Sequence, residues 1–159
     1  MAKFTTTKQI LLLISLILAI PSETFAQRNN LGDLILAVGS EETKSILIGS
    51  TGGTYSLASI SNKDKEGNPC MGYGDPKPDH VMTLKSNFSR LKLQIDSAGN
   101  ETTLVVKAVA NNQIRCGFGQ NNRQDALVED RNWSAGTYHI WVGSVRPNQR
   151  SQYRLSVER

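Results

Sequence analysis

The chain has 159 residues, 38% of them hydrophobic, with 18 basic and 14 acidic side chains for a formal charge of +4. A body of this size is one domain with room for a core. Its charges are scattered, with no basic face carrying aromatic stacking platforms, so nucleic acid is a poor partner.

The amino terminus reads as an export signal. Lys3 and Lys8 precede an apolar run from Ile10 to Ile20, then Pro21 and the small-x-small site Thr24-Phe25-Ala26. The run is shorter than the roughly twenty residues of a membrane span. The expected organisation is a cleaved signal over 1–26, a lead-in over 27–44 and a single domain over 45–159, with no membrane span after cleavage. Secretion or a periplasmic location follows.

After the signal, Leu34 to Val38 is either a first strand or a helical turn. Ile46, Leu47 and Ile48 make a strand, Thr51-Gly52-Gly53 a turn, and Thr54 to Ile60 alternates as a further strand. Residues 61–80 show no period and hold several prolines and glycines, so they form a long loop that is functional or tied down. Met82 and Leu84 share a face, and Leu91, Leu93 and Ile95 alternate with Lys92, Gln94 and Asp96 in the clearest amphipathic strand. Thr103 to Val109 is a nearly continuous apolar strand, Gln113 to Cys116 another, and Ala126 to Val128 a brief one.

Two strands end the chain. Tyr138, Ile140 and Val142 alternate with His139, Trp141 and Gly143, and Tyr153, Leu155 and Val157 alternate beyond a polar loop. The pair reads as a closing β-hairpin, with His139 and Trp141 facing outward beside Arg154. These three are the candidate surface contacts, since an outward Trp often marks an interface. The alternative is a Trp141 covered by a loop or packed beneath an arginine stem. About eight or nine short strands at regular spacing predict an all-β antiparallel sandwich.

The closing strands resemble those of the bacterial pre-peptidase C-terminal domain family in Gly136, Thr137, Tyr138, Val142, Gly143, Ser144, Tyr153, Leu155 and Val157. Pro78-Asp79-His80 ahead of a strand, and Thr103-Leu104 opening another, fit the same pattern over roughly residues 45 to 158. The resemblance implies a jelly-roll-like sandwich serving as an accessory module, in its two-cysteine secreted form. Some members of the family bind calcium or polymers. Here the segment after the second cysteine is Gly117-Phe-Gly-Gln-Asn-Asn122, without the acidic residues of many similar domains.

Cys70 and Cys116 are the two cysteines. An even count in an exported protein reads as a disulfide, with two free thiols as the alternative. Structural zinc wants four closely spaced ligands, so no metal site is expected. Asp33, Asp96, Asn100 and Glu101 offer oxygens suited to calcium but lack the spacing of a calcium loop.

Asp79 beside His80 permits a small hydrolase, yet no Gly-x-Ser-x-Gly elbow accompanies them. The reading that follows is a non-enzymatic exported binding module without a cofactor, meeting an envelope or extracellular polymer or protein. The runner-up is a hydrolase built on Asp79 and His80, and a third reading is a calcium-stabilised structural domain.

Overall fold

The computed structural model describes residues 32–39, 43–119 and 125–159. The proposed signal segment and cleavage site lie outside the described residues. Among the described residues eleven strands carry the fold: β1 Asp33–Leu36, β2 Lys44–Ser50, β3 Tyr55–Ser56, β4 Tyr73–Gly74, β5 His80–Leu84, β6 Phe88–Asp96, β7 Thr102–Ala108, β8 Ile114–Phe118, β9 Leu127–Trp133, β10 Gly136–Ser144 and β11 Gln152–Glu158. They form two sheets packed face to face, a β-sandwich.

The larger sheet is centred on β10. One flank of β10 pairs with β7, which pairs with β8. The other flank pairs first with β5 and then, at Ser144, with β4. Beyond β5 lies β1, paired parallel to it. The smaller sheet runs β2-β11-β6-β9. The strand β1 belongs to the stretch read as a lead-in, so the sandwich draws on residues ahead of 45.

Period-two patterning sets which side chains fill the space between the sheets. Leu91, Leu93 and Ile95 of β6, Ile140 of β10 and Leu155 of β11 are fully buried there. Tyr138, Val142, Tyr153 and Val157 join them. Each such side chain contributes about 1.5–3 kcal/mol by leaving water.

A second, smaller core sits on the outer face of the larger sheet. Residues from the 51–79 segment fold over that face, and Leu57 and Cys70 pack on Val105, Ile114 and Trp141. Strand β7 is thus covered on both faces, which accounts for its unbroken apolar run. Cys70 and Cys116 are joined by a disulfide with Cα atoms 5.2 Å apart, tying the segment to β8.

The structure corrects three readings of the sequence. Thr54 to Ile60 is not one strand: β3 ends at Ser56 and a single 3₁₀ turn, Leu57–Ser59, follows. Leu57 is drawn down into the second core, where its methyl groups occupy the room left by Gly74 and Gly143. A Cβ on Gly143 would lie 2.7 Å from Leu57 Cδ1 and 2.8 Å from the Tyr73 carbonyl. Next, β9 is no brief strand at 126–128 but runs seven residues to Trp133. Its polar centre, Glu129 to Asn132, gave it the look of a loop.

Finally, β10 and β11 are not a hairpin. Both flanks of β10 are taken within the larger sheet, while β11 is sandwiched between β2 and β6 in the smaller one. The polar connection at residues 145–151 therefore carries the chain from one sheet to the other.

Candidate functional site

Asp79 and His80 adjoin in sequence but bond different partners. His80 is wholly buried between the sheets. Its Nε2 lies 2.8 Å from the Tyr153 hydroxyl and its Nδ1 3.3 Å from the Gly32 carbonyl. Burial lowers its pKa below the usual 6.5, against the opposing pull of the Gly32 carbonyl and the Asp33 charge. The Tyr153 phenol is pushed up by burial and by the charge of Asp79. A ring held in this way meets no substrate.

Asp79 has a structural task. Its Oδ2 accepts a 2.8 Å hydrogen bond from the Val142 N–H, and its own N–H donates to the Ile140 carbonyl at 2.9 Å. Burial raises its carboxyl to about 7, with the Val142 hydrogen bond opposing and the Asp75 charge adding to the rise. Among the described residues His80 bonds Tyr153 and the Gly32 carbonyl, and Asp79 bonds Val142, so the arrangement gives the hydrolase reading no support.

The three candidate surface residues are separated. His139 and Trp141 do face away from the inner core, as the alternation implies. Trp141, however, lies under the folded-over segment with 6% of its surface exposed. Its indole N–H donates to the Pro76 carbonyl at 3.3 Å. The His139 ring, half-buried, meets it edge-on at 5.9 Å between centroids. Arg154 is exposed, but on the outer face of the other sheet, in register with Ile48 and Asp96. The three cannot form one surface. The expectation failed because it rested on the hairpin, and because sequence alternation gives the face of a residue but not what covers that face.

A cleft that the sequence did not announce opens where the edge strands β8 and β9 of the two sheets meet. It has a volume of about 490 Å³ and is walled by the 64–68 loop, by Arg115 to Phe118 and by Asp125 to Asp130. At its back, Arg115 reaches across from one sheet to the other. Its Nε sits 2.5 Å from Asp130 Oδ2, its Nη2 donates to Gln113 at 3.1 Å, and its guanidinium carbon lies 3.9 Å from the centre of the Trp133 ring.

Lys65 joins the same carboxylate at 2.9 Å from above. Burial alone would raise the Asp130 carboxyl, but Lys65 and Arg115 outweigh it and hold the group below its ordinary value. Lys65 is correspondingly raised, chiefly by Asp130.

Asp64 shapes the rim. Burial works to raise its carboxyl, and four hydrogen bonds prevail and lower it: from the Asn68 side chain and from the N–H groups of Asn68, Glu66 and Cys116. Cys116 of the disulfide lines the same cleft, which links its wall covalently to the segment at Cys70. The cleft is lined by Lys65, Glu66, Asn68 and Glu129, with Phe118 as an apolar wall. It offers donors, acceptors and an apolar surface, with no base aimed at a nucleophile among the described residues. The sequence signal was the polar run Glu129 to Asn132 immediately before the aromatic strand end Trp133, and it resembled a loop.

For the calcium reading, Asp96 Oδ1 accepts from the Ala98 N–H, Asn100 Nδ2 donates to the Ser97 carbonyl, and Asp33 lies in the other sheet. No group of three or more His, Cys, Asp or Glu side chains is placed to hold a metal ion among the described residues. No helix among them is long and apolar enough to cross a membrane.

No family model matches the chain, and no curated protein matches it. Among solved structures it is similar to the pre-peptidase C-terminal domain of a collagenase from Bacillus anthracis. The identity is 18% and the TM-score 0.46, over 79% of this chain and 94% of that one. It is also similar to PliG of Aeromonas hydrophila, a periplasmic lysozyme inhibitor of g-type lysozyme, at 14% identity and a TM-score of 0.43, over 80% of this chain and 96% of that one.

Proposed function

We propose that the chain is an exported, non-enzymatic β-sandwich module that works by binding, in the periplasm or outside the cell, and that the β8–β9 cleft is its contact site. The observation that carries this reading is the cleft itself, a space of about 490 Å³ with mixed polar and apolar walls, pinned by a disulfide and by the Arg115–Asp130 pair. Rigid walls lower the entropy lost on binding, because the side chains that meet the partner are already held. The side chains of greatest chemical promise support the same reading from the other direction. His80 is bonded within the core and Asp79 within the sheet, so both serve the fold.

The partner is an envelope or extracellular polymer or protein. The test is a sedimentation or pull-down assay of the purified protein against cell-wall sacculi and envelope extracts. It compares the parent with Glu66→Lys and Glu129→Lys, whose side chains are 60% and 42% exposed at the rim. Both reversals should weaken retention while leaving the melting temperature in place. Equal retention of parent and variants would remove the cleft as the contact site, and turnover of a peptide, ester or glycoside substrate by the parent would remove the non-enzymatic reading.

A further inference from the structure

The exposed apolar side chains of the domain are not spread evenly. Of the large ones exposed among the described residues, Ile35, Val38, Ile46 and Ile48 fall within fourteen positions of one another, on and between β1 and β2. Strand β2 ends the smaller sheet, and no strand flanks its outer side among the described residues. It is seven residues long, in unbroken register with β11, and free of proline. Its single charge, Lys44, is at one end and is neutralised by Glu158 at 2.7 Å. Natural edge strands are usually blunted by a bulge, a proline or an inward charge. This one carries none of these.

Its sequence is also nearly symmetrical about its centre: Ser45-Ile46-Leu47-Ile48-Gly49 reads small, Ile, Leu, Ile, small in both directions. An antiparallel copy centred on Leu47 sets Ile46 opposite the second copy's Ile48, and Ile48 opposite its Ile46. Ser45 then faces Gly49, and Lys44 faces Ser50, so no like charges meet. Because side chains alternate between faces, both Ile pairs fall on the outer face, where the two residues are 46% and 64% exposed in the single chain. Leu47 is turned inward against the core.

We infer that β2 is the contact edge of a homodimer, in which two four-stranded sheets join across a two-fold axis at Leu47 into one continuous sheet. Such an interface uses the same strand in both copies and therefore closes on itself, giving a dimer and not a fibre. It lies on the smaller sheet's far edge from β9, which leaves the β8–β9 cleft of each copy open. It is independent of what the cleft binds.

The test is sedimentation equilibrium of the protein recovered from an exporting host, alongside I48K and I46E. The parent should be a dimer with a concentration-dependent monomer fraction. Each variant alone should associate at least about tenfold more weakly, since both copies lose an apolar cross-strand pair and gain an unpaired charge. Mixing the two variants should restore the dimer, because the new ammonium of one then faces the new carboxylate of the other while the remaining Ile pair is intact. Both sites are exposed, so circular dichroism should match the parent throughout. A parent that stays monomeric to its solubility limit overturns the inference, as does a dimer that both variants leave intact or variants that fail to complement.

Discussion

The Asp79 carboxylate takes the place of a missing strand beside Val142. On that flank of β10 the partner β5 stops opposite Ile140, and β4 begins only opposite Ser144. The Val142 N–H lies between them and would be buried without an acceptor, at a cost of about 1–3 kcal/mol. Asp79 supplies the acceptor at 2.8 Å. The Pro-Asp segment ahead of β5 is therefore part of the sheet's hydrogen-bonding, through a side chain.

This repair has a pH signature. The Asp79 carboxyl is raised from 3.8 to about 7 in the folded chain, mainly by burial. Between those values the folded state holds a proton that the unfolded state has released, so stability falls as pH rises through the window and levels off above it. The penalty at pH 8 is at most about 4 kcal/mol. Asp79→Asn keeps an acceptor for Val142 and cannot ionise. It should be more stable than the parent at pH 8 and lose that advantage by pH 4, in urea titrations across the range.

Asp79→Ala, which orphans the N–H, should be less stable than Asn at every pH. His80 contributes the opposite slope: its lowered pKa makes stability fall as pH drops below 6.5. In Asp79→Asn that acid-side loss should persist. A parent-minus-Asp79→Asn stability difference that stays flat between pH 4 and 7 would contradict the assignment to Asp79.

The Arg115–Asp130 pair clasps the open side of the sandwich, one residue from each sheet. Arg115 is 3% exposed. Removing one member leaves the other charged and buried, which costs about 3–5 kcal/mol. Asp130→Ala should therefore lose that much in chemical denaturation, and high salt should not rescue it. Lys65 touches the same carboxylate from a more exposed position, and surface pairs are worth about 0–1 kcal/mol. Lys65→Ala should stay within that range. Replacing both clasp residues together with apolar side chains of similar volume should cost much less than Asp130→Ala alone, because no charge is then stranded.

The sandwich was legible because its strands are amphipathic: Leu91, Leu93 and Ile95, or Tyr153, Leu155 and Val157, announce both strand and buried face. What stayed hidden is long-range. The alternation of β10 placed His139 and Trp141 on one face correctly, but nothing local tells that residues 51–79 come to lie over Trp141. Nor does the sequence tell that the loop after Ser144 changes sheets; a polar seven-residue connection suits a hairpin equally well. The cleft was invisible for a further reason. Arg115 and Asp130 become neighbours only when the edges of two sheets meet, and each alone reads as a solvated charge. The glycine of the Val-Gly-Ser strand end, by contrast, was visible as a pattern, and its cause is now plain: Gly143 makes room for Leu57 and the Tyr73 carbonyl.

The covered Trp141 yields the sharpest contrast between a contact residue and a packing residue. A surface contact replaced by alanine weakens binding and leaves the melting temperature alone. Trp141 is buried against Leu57, Val105 and Ile114, with its N–H bonded to Pro76. Trp141→Ala should cost about 3–5 kcal/mol, as large-to-small changes in cores do.

The disulfide acts on the same cover from its other end. Replacing Cys70 and Cys116 together by alanine should cost up to about 4 kcal/mol for a loop of separation 46. Both changes free the same segment, so their combined cost should fall short of the sum. Limited proteolysis gives the local readout, with new cleavage between residues 61 and 69 in either variant while the β6–β11–β2 sheet stays protected. Unchanged protease resistance and melting temperature in Trp141→Ala would mean that the segment does not depend on the indole, and would return Trp141 to the surface.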